Sequence, residues 1–202
     1  KDLFQYAKEK KIICFSSPFD EKSVDFLEQF DPPCYKIASF EIVDIPLIRH
    51  VAKMGKPVIV STGMASVSEI NDAIEELNKW GNNNYALLKC TSTYPAKASN
   101  SNLATISHMK KMFNCEIGLS DHTFGIGASL ASIVYGSTII ERHFTLKRSD
   151  GGVDSAFSLE PHEMKQLVKE SETVWKSKGE IYYGPLKDEK QSLLKRRSIY
   201  VV

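Results

Sequence analysis

Val58-Ile-Val-Ser-Thr-Gly-Met64, then Ser68-Glu-Ile-Asn-Asp-Ala-Ile-Glu-Glu-Leu-Asn-Lys-Trp80, then Tyr85-Ala-Leu-Leu88: these three stretches decide the fold. The first and last open on short apolar runs without the polar alternation of a strand that has one face in water. The middle one carries Ile70, Ala73, Ile74 and Leu77 three or four residues apart, the spacing of one helix face, with Ser66 or Ser68 placed to cap it. Continuously apolar strands are expected where both sheet faces are covered. The unit therefore reads as strand, covering helix, parallel strand.

The same unit recurs in both directions. Ile12-Ile-Cys-Phe15 and Tyr35-Lys-Ile-Ala38 precede it, and Ile117-Gly-Leu119 and Thr138-Ile-Ile140 follow it. An amphipathic stretch, Pro161–Lys178, with Met164, Leu167, Val168 and Trp175 on one side, follows the last run. At about twenty-five residues per unit, about six βα units fit, whereas a complete (β/α)8 barrel needs eight units and roughly 250 residues. The expected architecture is α/β: a (β/α)8 TIM barrel, here incomplete and lacking the first two strands. A doubly wound open sheet shares the periodicity, and spacing alone does not separate the two. Residues 1–178 form the expected barrel portion, and 179–202 a linker running into a further domain. The chain opens at Lys1 and stops at Val202 inside the apolar run Ser198–Val202, so both ends read as cut.

Composition narrows the function. The 202 residues carry 26 Lys and Arg against 25 Asp and Glu, which gives no electrostatic basis for nucleic acid or an anionic membrane as partner. The basic run Lys195-Arg196-Arg197 reads as a solvated helix end or linker. Cys14, Cys34, Cys90 and Cys115 show no CxxC spacing and sit in or beside apolar runs, as buried free thiols in a reducing compartment do. No stretch has the length of a membrane span, so a cytoplasmic location is expected.

Parallel α/β proteins bind ligands at the carboxyl ends of their strands. Those ends read Ser16-Ser17-Pro18, Ser39-Phe40-Glu41 after a strand containing Lys36, Ser61-Thr62-Gly63-Met64, Lys89-Cys-Thr-Ser-Thr-Tyr-Pro95, Ser120-Asp-His-Thr123 and Glu141-Arg-His-Phe-Thr145. Hydroxyls, backbone amides and a lysine on one rim suit a phosphate, although serine-rich strand ends are also ordinary turn chemistry. Lys36, inside an apolar strand, needs an anionic partner. His122 and His143 stand at equivalent places on consecutive strands, where two imidazoles can reach one divalent ion; a lone histidine is more often structural. Asp121 and Asp154 are carboxylates able to orient a ligand, and Glu41 is the best-placed general acid or base. Tyr94 can stack on a sugar or simply pack. His50, His108 and His162 read as surface residues.

Taken in order, Cys14–Asp20, Tyr35–Glu41, Lys56–Met64, Lys89–Pro95, Gly118–Thr123 and Ile140–Thr145 resemble the sialic acid synthase family. The resemblance implies a (β/α)8 barrel whose rim binds phosphoenolpyruvate, a manganese or magnesium ion and an open-chain N-acetylated amino sugar. It implies phosphoenolpyruvate contacts at Ser17, Lys36, Ser39, Ser92 and Ser120, metal ligands at His122 and His143, and sugar contacts at Glu41, Tyr94 and Asp154, with Glu41 also moving a proton. Ser92, Phe40 and the absence of a histidine soon after Asp154 are similar to pseudaminic acid synthases rather than to N-acetylneuraminate or legionaminic acid synthases. The family also implies an acidic residue and a second lysine on the first two strands. Beyond the barrel it implies an antifreeze-like (SAF) C-terminal domain, opening at Arg197–Val202, swapped across a homodimer. The present residues are accordingly expected to be inactive alone. Two rivals remain at this point: a non-catalytic carbohydrate-binding barrel fragment, and a metal-dependent aldolase that uses pyruvate and releases no phosphate.

Overall fold

The computed structural model describes residues 2–195. Arg197–Val202, expected to open a C-terminal domain, lies outside the described residues. Along the chain run α1 (Asp2–Glu9), α2 (Glu21–Glu28), β1 (Tyr35–Ile37), α3 (Ile45–Lys53), β2 (Val58–Ser61), α4 (Val67–Lys79), β3 (Tyr85–Cys90), α5 (Ala104–Phe113), β4 (Glu116–Asp121), α6 (Gly127–Val134), β5 (Ile139–Arg142), α7 (Pro161–Lys178) and α8 (Lys190–Leu193). The strands form one parallel sheet in sequence order, with Lys36 opposite Ile59, Val60 opposite Leu87, Leu87 opposite Ile117 and Ser120 opposite Glu141.

Alternation along each strand sorts the side chains onto two faces. Tyr35, Ile37, Val58, Val60, Leu87, Ile117 and Leu119 pack outward against Leu47, Ile48 and Val51 of α3, Ile70 and Leu77 of α4, and Ile106 and Met109 of α5. The quoted helix is capped by Ser66, whose hydroxyl accepts from Glu69 N while the Glu69 carboxylate accepts from Ser66 N. That reciprocal box excludes Ser68 as the cap.

One contact across the other face separates a barrel arc from an open sheet. In a flat sheet, β1 and β5 would lie about 19 Å apart, four strand spacings. Yet Lys36 Nζ of β1 is 3.4 Å from Glu141 Oε2 of β5. The sheet is curled, with both side chains on its concave side, as in part of a (β/α)8 barrel.

Two expectations change. Ile12–Phe15 is not a strand: Ser16 makes a single parallel bridge to Tyr35, and Ile12 and Ile13 are 65% and 75% exposed. No residue of Ile12–Phe15 itself joins a ladder among the described residues, and Cys14 alone of the four is half-buried. On α7, only Leu167 is buried, while Val168 and Trp175 are exposed. They line, with Phe15, Ile59, Leu88 and Met164, an open cavity of about 640 Å³ beside the free edge of β5. Among the described residues, no helix is long and apolar enough to cross a membrane.

Candidate active site

The strand tips meet on the concave side. Lys36, 7% exposed, donates to Ser61 Oγ at 2.8 Å and pairs with Glu141. Glu141 Oε1 also accepts from Ser120 Oγ at 2.6 Å. Lys36, Ser61, Ser120 and Glu141 therefore form one continuous polar floor drawn from four strand ends. Beside it, Ser39 Oγ accepts from Gly63 N at 3.2 Å. Gly63 has no room for a side chain: a Cβ there would lie 2.8 Å from Ser39 Oγ and closer still to Ser92 Oγ. Its lack of a Cβ lets the two serines and the Cys90 thiol crowd one spot.

The two histidines face each other. Their ring centroids are 5.1 Å apart with planes at 63°. Tyr94 packs on His122 at 4.4 Å and Phe157 on His143 at 5.0 Å, so both imidazoles stand in one aromatic enclosure. His122 Nδ1 lies 3.1 Å from the Thr91 carbonyl, an acceptor only, which makes Nδ1 the donor and leaves Nε2 with its lone pair. His143 Nδ1 is 3.5 Å from Asp154 Oδ2, the carboxylate–imidazole arrangement that steadies a metal-binding ring. Two such rings could grip one divalent ion. Among the described residues no set of three or more His, Cys, Asp or Glu side chains converges on a metal position, so further ligands would be water or substrate oxygens.

Electrostatics divides the pair. Burial opposes charge on His122, but its hydrogen bond to Cys90 and the negative charges of Cys90 and Glu141 outweigh that and raise its pKa. Burial and the neighbouring His122 lower that of His143. Burial would raise Cys90, but contacts from His122, Ser39 and Ser92 bring its thiol down to about 7. Glu41 opens a short 3-10 turn after β1, and its Oε2 is buried with no partner. A buried carboxylate oxygen left without a donor among the described residues is one that an added hydroxyl or proton donor would satisfy.

Not every candidate joins the cluster. Ser17 follows the bridge residue Ser16, half-buried, and makes no hydrogen bond to the other candidates among the described residues. Asp121 is not a rim carboxylate. It turns behind the rim, where Oδ2 pairs with Arg142 Nη1 at 2.8 Å, each side chain almost fully buried, and accepts from Ser129 Oγ, while Oδ1 accepts from Thr123 N. This brace joins the tips of β4 and β5, the residues just before His122 and His143. Sequence reading passed over Glu141, Cys90 and Phe157. Only Glu141 had a signal, since Lys36 required an acid and Glu141 sits at a strand end.

The NeuB family model matches residues 1–183. The chain belongs to the NeuB family. The pseudaminic acid synthase of Campylobacter jejuni is 45% identical over 166 residues, covering 82% of this chain and 48% of that protein. The N,N'-diacetyllegionaminic acid synthase of the same organism is 39% identical over 195 residues, covering 96% of this chain and 58% of that protein. Among solved structures, an N-acetylneuraminic acid synthetase from Leptospira borgpetersenii in complex with citrate superposes with a TM-score of 0.88 at 35% identity, covering 98% of this chain and 69% of that one. The chain thus spans about half to three-fifths of the length of these curated relatives. The family's members include sialic and pseudaminic acid synthases, and the curled parallel sheet is shared with them.

Proposed function

We propose that the protein carrying this chain condenses phosphoenolpyruvate with an N-acetylated amino sugar to make a nonulosonic acid, most closely as a pseudaminic acid synthase. What supports the reading is the joining of Lys36, Ser61, Ser120 and Glu141 into one floor beside the facing pair His122 and His143, in a chain of this family. Identity to the pseudaminic acid synthase and the sequence features at Phe40 and Ser92 favour the diacetamido-trideoxy sugar.

Lys36 and the hydroxyls of Ser39, Ser92 and Ser120 would hold the phosphate and carboxylate of phosphoenolpyruvate, each donating to an oxyanion, with Ser17 at the margin. His122 and His143 would hold Mn2+ or Mg2+, which when bound supplies Lewis-acid polarisation of the sugar aldehyde. Tyr94 would stack on the sugar and Asp154 accept from its hydroxyls while steadying His143. The C3 carbon of phosphoenolpyruvate would attack the aldehyde carbon, Glu41 would move a proton to the new alkoxide, and water would add at C2. The C2–O bond would then break, and phosphate would leave with its bridging oxygen. Catalysis by a cytoplasmic dimer with an exchanged C-terminal domain belongs to the same reading.

Phosphate release from phosphoenolpyruvate should be measured with the diacetamido-trideoxy sugar, with N-acetylmannosamine and with none, with and without chelator, and in His122→Ala. Release requiring the first sugar and the metal and lost in the variant is expected. Activity indifferent to chelator and to His122→Ala would overturn the metal assignment, and condensation with pyruvate without phosphate release would make the protein an aldolase.

A further inference from the structure

Lys89 and Cys90 are adjacent on β3 and point to opposite faces of the sheet. Cys90 lies among Ser39, Ser92 and His122 on the concave side. Lys89 points the other way, into a cavity of about 230 Å³ between the start of α4 and α5. Ile70 and Met109 wall that cavity, and Met64, His108 and Met112 stand at its exposed mouth. The proposed reaction uses none of this.

The lysine is in an unusual position. Its Nζ donates to Cys90 O at 3.2 Å and Thr91 Oγ1 at 2.7 Å, both neutral acceptors, and among the described residues it reaches no carboxylate. Every other partly buried lysine described with an ion pair, Lys36 and Lys56, has its acid within 4 Å. Burial holds the Lys89 pKa below the ordinary lysine value, against the smaller opposing pull of the Cys90 sulfur. An ammonium with two neutral partners has one N–H left to donate, and this lysine lines a mostly apolar hollow whose other polar members are Thr62, Thr105 and His108.

We propose that this cavity is a second binding site, separate from the rim, for a small organic monocarboxylate. One cation at the floor balances one negative charge, whereas a phosphate dianion would leave a charge unpaired against apolar walls. At about 30 Å³ of liquid volume per water-sized group, the cavity has room for about seven non-hydrogen atoms, a short aliphatic acid with its carboxylate on Lys89 and its chain against Ile70 and Met109. Thr91 joins this site to the rim, because its hydroxyl takes Lys89 while its carbonyl takes His122.

Butyrate and inorganic phosphate should be titrated into the 202-residue chain by calorimetry and by amide chemical shifts, in wild type, Lys89→Met and Met112→Trp. Saturable one-to-one butyrate binding is expected, with phosphate weaker. It should weaken about tenfold or more in Lys89→Met, as loss of one charge-assisted hydrogen bond implies, and be blocked by the tryptophan at the mouth. Lys89→Met should melt at or above wild type, since it removes a half-buried cation that pairs with no carboxylate among the described residues. Butyrate binding that is absent from wild type, or that survives both substitutions, overturns the site. So does a Lys89→Met chain that melts well below wild type, which would make the lysine structural.

Discussion

Replacing Arg142 with methionine tests the brace behind the histidines. Its guanidinium keeps Nη2 on the Thr123 carbonyl at 2.8 Å and Nη1 2.8 Å from Asp121, although the Nη1 hydrogen is not well aimed at the oxygen and Nε has no acceptor. With Arg142→Met, Asp121 retains Thr123 N and Ser129 Oγ but loses its cation in a site closed to water. Breaking one side of such a pair costs about 3–5 kcal/mol. With a urea m-value of about 2 kcal/mol per molar, the unfolding midpoint should fall by about 2 M. Asp121→Asn in the Arg142→Met background should recover much of this, because the neutral amide no longer needs a counter-ion, giving a coupling of about 2 kcal/mol or more. A midpoint within about 0.3 M of wild type for Arg142→Met, or strictly additive substitutions, would refute the brace.

Three further outcomes are expected. Gly118→Ala on β4 should destabilise by about 1–3 kcal/mol or more in chemical denaturation, because its Cβ would lie 2.5 Å from the Ile139 carbonyl oxygen and also strike Leu88; backbone oxygen cannot rotate away. Ser66→Ala should cost about 1 kcal/mol and lower the melting temperature by about 2–4 °C, whereas Ser68→Ala should leave it nearly unchanged. Glu141→Gln should weaken the floor's hold on Lys36 while leaving Ser61 in place, so amide shifts should move at Lys36 and Ser120 and stay fixed at the distant helix α2.

The parallel order was legible because both-face burial leaves its mark on composition, and five of the six apolar runs are strands. The sixth, Ile12–Phe15, failed for a reason periodicity does not carry: a strand needs partners on its edges and cover on its faces, and among the described residues the only bridge here is made by Ser16, just beyond the run. Curvature was not legible either. It lies in the approach of Lys36 to Glu141 across the concave face, a contact between strands four positions apart in the sheet. In the site, residue types at strand ends were enough to nominate Lys36, Ser120, His122 and His143, since position along a parallel strand fixes which rim they share. Direction around the rim is a different matter. Asp121 and His122 are sequence neighbours that point to opposite sides of β4, so Asp121 reads as a ligand carboxylate in sequence and is a buried counter-ion in space. Cys90 looked like core thiol, yet its Sγ lies 3.9 Å from His122 Nδ1, in a spot where a Cβ on Gly63 would also crowd it.

The most direct test of the convergence of these strand tips is Mn2+ binding followed by electron paramagnetic resonance. One ion per chain is expected, lost in His122→Ala and in His143→Ala and kept in His108→Ala, whose ring lies outside the rim. Binding of unchanged stoichiometry and affinity when both rim histidines are replaced would contradict the account.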